Sequence, residues 1–154
     1  MMLRIGLAAD HGGFGLKEKL KATLESSRFE LLDFGAESFE GNDDYPDRIF
    51  PLALAMSQGR IDRGIAVCGS GVGAAIVANK LPGVRAALIT ETYSAHQGVE
   101  HDDMNILCIG GRVVGTALAM EIVEAFLEAR YNGEGRFDRR LKKVLEIENK
   151  YLKK

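Results

Sequence analysis

The sequence lacks tryptophan and contains only two cysteines and three prolines among its 154 residues. Cys68 and Cys108 form no CxxC or Cys/His ligand pattern, so neither a disulfide framework nor a metal site is predicted. No apolar run reaches the length of a membrane-spanning helix, and the N-terminus does not resemble a secretory leader. We therefore expect a cytoplasmic protein with reduced cysteines and no membrane partner.

An excess of charge of one sign is also missing. The chain has 20 Lys and Arg against 22 Asp and Glu, a net charge of −2. This balance gives no overall attraction to nucleic acid. Hydrophobic residues make up 46% of the chain, which is ordinary for a globular protein and sufficient for a core without disulfides or structural metals. At roughly 150 residues per domain, we expect a single domain over residues 1–154.

Short apolar segments alternate with helix-like segments along the whole chain. Those bounded by glycine or charge predict five buried strands, at 3–9, 29–35, 63–69, 84–90 and 105–111. The intervening segments predict helices, at 14–27, 47–59, 71–81, 91–103 and 116–131, with an amphipathic terminal helix over 136–154. The alternation predicts an α/β fold, a doubly wound, Rossmann-like or flavodoxin-like α/β/α sandwich with a five-stranded parallel sheet.

The stretch "AVCGSGVGAA" places a glycine-rich loop after the third predicted strand, and ligands of doubly wound folds bind where strands end. Cys68 would lie before the positive end of a helix, which favours its thiolate. A thiolate opposite backbone N–H donors suits removal of a proton from a carbon beside a carbonyl. The donors would belong to Gly69, Ser70, Gly71 and Gly73. Alternatively, Cys68 is a small buried apolar residue, as we expect Cys108 to be.

Two other interpretations of this loop differ in strength. Gly69, Gly71 and Ala74 match the dinucleotide pattern G-x-G-x-x-A, and Glu91 follows about 20 residues later, where a ribose ligand would be expected. This loop follows the third strand instead of the first, so a dinucleotide site remains a second choice. A phosphate loop with Lys-Ser/Thr and a cysteine phosphatase loop are excluded, because the residues that they need are absent from this stretch.

Charged and polar residues follow other predicted strands and helices. Asp10 could handle a proton or cap a helix, and His11 could bind phosphate. His101 could protonate a sugar ring oxygen, whereas His96 is expected on a helix surface. The arginines could bind a phosphate or form a solvated charged face, and they are Arg112, Arg136 and Arg140.

Seven segments occur in an order that resembles the ribose-5-phosphate isomerase B family, within the wider group that includes galactose-6-phosphate isomerase. They are "ADHGG", "DDYPD", "CGSGVG", "ANK", "EHDDMN", "GGRVVG" and "GEGRFDRR". The resemblance runs from about Arg4 to the last helix. It implies interconversion of ribose 5-phosphate and ribulose 5-phosphate through a cis-enediolate, in the pentose phosphate pathway, without a metal or cofactor. It also implies a homodimer, or a dimer of dimers, whose sites draw residues from both subunits.

The resemblance also implies a role for each matching residue. Cys68 would be the base, Ser70 and the 69–73 loop would stabilise the enediolate, and His101 would open the sugar ring with help from Asp10. Tyr45 would line the sugar site, and Asp102 would place a negative charge beside the substrate. The terminal helix, about 136–151, would contribute to the dimer. The phosphate ligands would be His11, Arg112, Arg136 and Arg140.

This chain departs from the family pattern at two positions and leaves the sugar open. Asp102 replaces a frequent asparagine, and Phe137 replaces a frequent histidine. The segment "GAAI" is apolar where some members carry a glutamate. A six-carbon substrate such as allose or galactose 6-phosphate is therefore an alternative, and so is a non-catalytic Rossmann-like module that binds nucleotide or phosphate.

Overall fold

The computed structural model describes residues 2–24 and 28–152. Strands and helices alternate along these residues as β1 (Leu3–Ala9), α1 (Phe14–Leu24), β2 (Phe29–Asp33), α2 (Tyr45–Ser57), β3 (Arg63–Cys68), α3 (Val72–Ala78), β4 (Ala86–Leu88), α4 (Thr92–Asp102), β5 (Ile106–Gly110), α5 (Thr116–Glu128) and α6 (Gly135–Tyr151). The last residues of two predicted helices, 25–27 and 153–154, lie outside the described residues. No helix within the described ranges is both long and apolar enough to cross a membrane.

The strands form one parallel sheet in the order β2-β1-β3-β5-β4. The predicted α/β fold with five parallel strands is confirmed. The chain leaves β1 towards one edge of the sheet and then crosses back to add β3 on the other side, so the topological switch point lies between β1 and β3. Because β5 pairs with β3, the loop that follows β5 lies beside the glycine-rich loop that follows β3.

Helices cover both faces of the sheet. On one face, α1, α4 and α5 pack on strand residues such as Leu7, Val67 and Leu107, all completely buried. On the other face, α2 and α3 pack around Ala66 and Cys108. Because the three central strands β1, β3 and β5 are buried on both faces, they read in the sequence as nearly continuous apolar runs.

Strand β4 is shorter than the prediction of 84–90. Side-chain amides bind the backbone where the strand would otherwise begin: Asn105 Oδ1 accepts the Arg85 N–H at 2.8 Å, and Asn79 Oδ1 accepts the Ala86 N–H at 2.9 Å. These backbone groups are satisfied without a longer ladder on this edge strand.

Helix α6 packs loosely on the rest of the chain. Glu148 accepts the Gly83 N–H at 2.8 Å, and the helix packs beside α4. None of its described residues is buried, and Val144, Ile147 and Tyr151 are 50%, 62% and 63% exposed. The amphipathic pattern of this helix therefore has an apolar part that its own chain leaves uncovered.

A buried lysine joins α1 to the end of β2. Lys17 is fully buried, and its Nζ lies 2.7 Å from Asp33 and 2.6 Å from Glu18. Burial raises the pKa of Asp33, but hydrogen bonds from Lys17, Lys21 and the Gly35 N–H outweigh burial and lower it overall. Asp33 therefore stays ionised and keeps the Lys17 ammonium paired inside the protein.

Replacing Asp33 with asparagine is expected to destabilise the fold by about 2 kcal/mol near neutral pH, since a hydrogen bond to a charged group is lost. The folded pKa of Asp33 is lowered, so its stabilisation is present above the unfolded value of about 3.9 and is lost as pH falls through the folded value. Urea unfolding from pH 7 down to acid pH tests this. The gap between wild type and variant should shrink below about pH 4. The exposed Glu30→Gln on the same strand should change stability by less than about 0.5 kcal/mol, and a pH-independent gap for Asp33→Asn would contradict the assignment.

Candidate active site

The loops that follow β1, β3 and β5 meet at the carboxyl edge of the sheet. The Gly111 N–H donates to the Cys68 carbonyl at 2.8 Å, and the Arg112 N–H donates to the Gly69 carbonyl at 3.0 Å. Between the loops lies a cleft of about 480 Å³. It is lined by Asp10, His11, Gly12, Tyr45, Cys68, Gly69, Ser70, Gly73, Arg112 and Val113.

Cys68 ends β3 and lines the cleft from a buried position, with 4% of its surface exposed. The Gly71 N–H lies 3.1 Å from Cys68 Sγ. Gly71 has a φ of 82°, a left-handed conformation that glycine adopts without strain, and it lies behind the loop, outside the cleft lining. Ser70 Oγ accepts the Val72 N–H at 3.3 Å. The turn thus places a backbone donor against the sulfur, an arrangement that suits a negative charge there.

Cys108 has a different environment. It is completely buried in the core between the sheet and α2 and α3. Burial, followed by the neighbouring Cys68, raises the pKa of the Cys108 thiol. Cys108 is therefore the small apolar residue that the sequence predicts, and Cys68 is the cysteine that has access to the cleft.

Asp10 and His11 reach the cleft from the end of β1. Asp10 is 7% exposed, and its Oδ1 accepts the Gly13 N–H at 3.2 Å, so it both stabilises the turn before α1 and lines the cleft. A cluster of three possible metal-ligand atoms, one each from Asp10, His11 and Asp43, lies within 4.8 Å. Asp43 is already engaged by His11 and Arg48, and this arrangement does not indicate a metal site.

Tyr45 and Arg112 form two further parts of the cleft wall. Tyr45 begins α2, and its ring packs so closely on Gly73 that a Cβ there would lie 2.8 Å from a ring carbon. Arg112 is exposed, and its guanidinium lies over Gly69. Its positive charge at the edge of the cleft suits an anionic substrate group.

Four predicted site residues lie elsewhere and form what we call the α4–α6 cluster: His101, Asp102, Arg136 and Arg140. His101 and Asp102 end α4, and the two exposed arginines lie at the start of α6. The cleft lining includes none of the four. Asp102 instead lines a separate cavity beside Leu141 and Val144. Within the described part of one chain, the predicted site is therefore divided in two.

His101 is held by two contacts that the sequence did not suggest. Its Nδ1 lies 2.6 Å from Gln97 Nε2, and its ring stacks on Phe137 with centroids 4.2 Å apart. With the Gln97 amide assigned so that its nitrogen faces the ring, this nitrogen donates and Nδ1 accepts, which places the proton of the neutral ring on Nε2. Phe137, which the sequence suggested only as the loss of a histidine, forms a platform for His101, and the Arg136 guanidinium lies 5.0 Å from the centroid of the Phe137 ring.

Other residues differ from, or add to, the sequence-based interpretation. Glu91, considered as a ribose ligand, instead caps α4, with both carboxylate oxygens 3.0 Å from the Ser94 N–H. Asp43 was missed because it lies 32 positions from His11 in the sequence, although the two residues are joined by hydrogen bonds in the structure. Its place in the "DDYPD" segment next to a predicted helix was the available signal, but that signal indicates a helix cap and not a histidine partner.

Comparison with known proteins identifies the family. Residues 5–144 match the family model described as Ribose/Galactose Isomerase. The chain is 43% identical to ribose-5-phosphate isomerase B of Escherichia coli, covering 97% of this chain and 99% of that protein. The structure of ribose-5-phosphate isomerase B from Mycoplasma genitalium with bound ribulose-5-phosphate superposes with a TM-score of 0.91 at 37% identity, covering 97% of this chain and 98% of that one.

A third relative carries a different name. D-erythrulose-4-phosphate isomerase of Pectobacterium atrosepticum is 37% identical, covering 87% of this chain and 88% of that protein. The fold and the cleft define a sugar-phosphate isomerase, and the prediction of an aldose–ketose isomerase is confirmed. The chain belongs to the ribose/galactose isomerase family.

Replacing Gly110 with alanine is expected to disturb the cleft. A Cβ at Gly110 would lie 2.7 Å from the carbonyl carbon and oxygen of Ser70, so the loop that carries Cys68 must move. We expect a loss of about 1–3 kcal/mol in stability and a fall in isomerase turnover. The control is Gly15→Ala in α1, where a Cβ meets no atom within 4 Å; it should gain about 0.5–1 kcal/mol and keep its activity. Unfolding and turnover that match wild type in Gly110→Ala would refute the close approach.

Proposed function

We propose that this enzyme interconverts ribose 5-phosphate and ribulose 5-phosphate, with Cys68 as the base. The observation that carries the proposal is the position of Cys68 Sγ, in the wall of the cleft and 3.1 Å from the Gly71 N–H. The relative from Mycoplasma genitalium, with its bound ribulose-5-phosphate, supports the choice of sugar.

The proposed reaction moves one proton between neighbouring carbons. After the sugar ring opens, the Cys68 thiolate removes the proton from C2, and the electron pair passes towards the C1 carbonyl to give a cis-enediolate. Ser70 and the N–H groups of the 69–73 loop stabilise the oxygen that gains charge. The thiol then returns a proton to C1 while the proton of the C2 hydroxyl passes to the C1 oxygen, so that C1 becomes a hydroxymethyl carbon and the carbonyl forms at C2. Thiol and substrate end with the same number of protons with which they began.

The substrate phosphate and ring oxygen require further groups. His11 and Arg112 lie in the cleft and can bind the phosphate, while Tyr45 and Asp10 line the same cleft and can contact the sugar. Arg136 and Arg140 are four residues apart on α6, so they can act together as a second pair of phosphate ligands. The Nε2–H of His101 is suited to protonating the ring oxygen.

We propose that a second copy of the chain brings the α4–α6 cluster to the cleft. His101, Arg136 and Arg140 do not line the cleft of their own chain, so a homodimer is needed for both sets to act on one substrate. Exposed apolar side chains favour such an interface. Val72 and Ile76 lie on α3, which directly follows the loop after Cys68, and they are 46% and 53% exposed. Association would also cover the apolar part of α6. Assembly into a dimer of dimers, the single-domain organisation and a cytoplasmic location stay predictions.

A four-carbon sugar phosphate is the second candidate substrate, since one relative is named D-erythrulose-4-phosphate isomerase. The six-carbon alternatives from the sequence remain to be compared with it. Rates with ribose 5-phosphate, D-erythrulose 4-phosphate, allose 6-phosphate and galactose 6-phosphate under the same conditions distinguish these choices. If none is turned over and a nucleotide raises the melting temperature, the non-catalytic binding module is the better description.

Cys68→Ala is expected to lower kcat for ribose 5-phosphate by about 10²–10⁴-fold, the usual contribution of a general base. Cys108→Ala is the matched control: it removes the other buried thiol and should keep turnover close to wild type, with a modest loss of stability. Circular dichroism and thermal unfolding verify that both variants fold. Near wild-type turnover by folded Cys68→Ala would eliminate the cysteine as base.

Subunit mixing tests the shared site. Cys68→Ala and His101→Asn should each be nearly inactive alone. After unfolding and refolding together in equal amounts, half of the dimers contain one subunit of each kind. One of their two sites then has both native residues, so about one quarter of wild-type activity should return. If both residues act within a single chain, mixing restores nothing.

A further inference from the structure

A line of alternating charges extends from His11 to the protein surface. Asp43 Oδ1 lies 2.8 Å from His11 Nδ1 and also accepts the His11 backbone N–H at 2.9 Å. Asp43 Oδ2 accepts from Arg48 Nε at 3.0 Å. Arg48 in turn contacts Glu40, which is exposed. Asp43 thus has a partner on each oxygen, and its side chain is only 5% exposed.

We propose that Asp43 is a positioning residue for the reaction: it holds the His11 imidazole in one orientation and one tautomer, so that Nε2 is presented to the phosphate of the substrate. This inference rests on the proposed function, because it assigns the phosphate to His11. Asp43 itself does not line the cleft and acts through the histidine.

The chemistry of the carboxylate determines the tautomer. An ionised carboxylate can only accept hydrogen bonds, so the short contact to Nδ1 requires the proton on Nδ1. Burial raises the pKa of Asp43, but hydrogen bonds from His11 and Arg48 outweigh burial and lower it overall, so the carboxylate is charged at neutral pH. His11 is then held at both its backbone and its ring, and Nε2 can accept from, or when protonated donate to, a phosphate oxygen.

A simpler role would be structural only. Asp43 could tie the segment before α2 to the end of β1 through the His11 backbone N–H, with no effect on the ring. The two roles differ in what they predict for the imidazole: a structural tie leaves the tautomer and the phosphate affinity unchanged once the protein is folded.

The first test needs no substitution. Long-range ¹H–¹⁵N NMR of the full-length protein reports which ring nitrogen of each histidine carries a proton, and His11→Ala assigns the His11 signals. We expect Nδ1 of His11 to be protonated across the neutral and alkaline range, in contrast to His101, whose neutral ring carries its proton on Nε2. An unprotonated His11 Nδ1 in the wild-type protein would overturn the proposal whatever the substrate is.

The second test is kinetic and uses a double-mutant cycle. Asp43→Ala should raise KM for ribose 5-phosphate about tenfold, the size expected when a charge-assisted hydrogen bond is lost, with most of the effect on KM and not on kcat. Asp43→Asn keeps an oxygen that can accept from Nδ1–H and should recover much of the loss. In a His11→Ala background, Asp43→Ala should cause little further change.

Two controls separate the possible failures. Glu40→Gln removes only the exposed end of the line and should leave KM within about twofold, as surface substitutions usually do. If Asp43→Ala does not fold, Asp43→Asn and the wild-type NMR still decide the matter. An equal rise in KM in the presence and absence of His11 would show that Asp43 acts by another route.

The proposal can fail separately from the assignment of the substrate. If the wild-type enzyme does not act on ribose 5-phosphate, the proposed function is wrong, and titration with inorganic phosphate replaces the kinetic readout. Binding of phosphate that weakens about tenfold in Asp43→Ala, with recovery in Asp43→Asn, supports the positioning role. Equal phosphate affinity in all three proteins refutes it.

Discussion

The close approach of three backbone turns at the carboxyl edge of the sheet is the constraint on which the site depends. A Cβ at Gly12 would lie 2.8 Å from the Gly69 nitrogen, and one at Gly110 would lie 2.7 Å from the Ser70 carbonyl. Hydrogen bonds from the Gly111 and Arg112 N–H groups to the carbonyls of Cys68 and Gly69 join two of these turns. Because no side chains separate these turns, Cys68, His11 and Arg112 come close enough to line a single cleft. The order of the strands, with β5 next to β3, makes this meeting possible.

The hydrogen-bond partners of the two histidines in the proposed reaction favour protonation of opposite ring nitrogens. Asp43 requires the proton on Nδ1 of His11, whereas Gln97 requires a free Nδ1 on His101. The first arrangement supports phosphate binding by Nε2, and the second leaves an Nε2–H that can donate to a ring oxygen. Both partners lie outside the cleft lining, so much of the chemistry depends on residues that would not touch the sugar. In the proposed dimer, division of the site between the cleft and the α4–α6 cluster would make activity dependent on assembly.

Much of the fold could be predicted from the sequence, because buried parallel strands appear as compact apolar runs between glycines and charges. The rule that ligands bind where strands end also brought Asp10, His11, Cys68 and Arg112 into one hypothesis, and the structure places all four around the cleft. The predicted fourth strand was too long, and at its start amides from Asn79 and Asn105 bind the backbone N–H groups of Arg85 and Ala86; no local pattern reports such contacts.

The roles of Asp43, Gln97 and Phe137 could not be predicted for a related reason. Asp43 contacts a residue 32 positions away, and Phe137 on α6 stacks on His101 of α4. Both contacts therefore depend on tertiary packing. Gln97 and His101 are four residues apart on α4, and that spacing was available in the sequence. The alternative partners of a glutamine on a helix surface are too many for spacing alone to select one.

The fate of the hydrogen on C2 tests the central claim most directly. Ribose 5-phosphate labelled with deuterium at C2 is incubated with the enzyme in ordinary water, and the product and the remaining substrate are analysed by NMR and mass spectrometry. Transfer through the Cys68 thiol predicts that the label leaves C2 and is divided between C1 of ribulose 5-phosphate and the solvent, with solvent hydrogen at C1 wherever the thiol exchanges before it returns the proton. Both outcomes should be abolished in folded Cys68→Ala and retained in Cys108→Ala, and unchanged movement of the label without Cys68 would contradict the account.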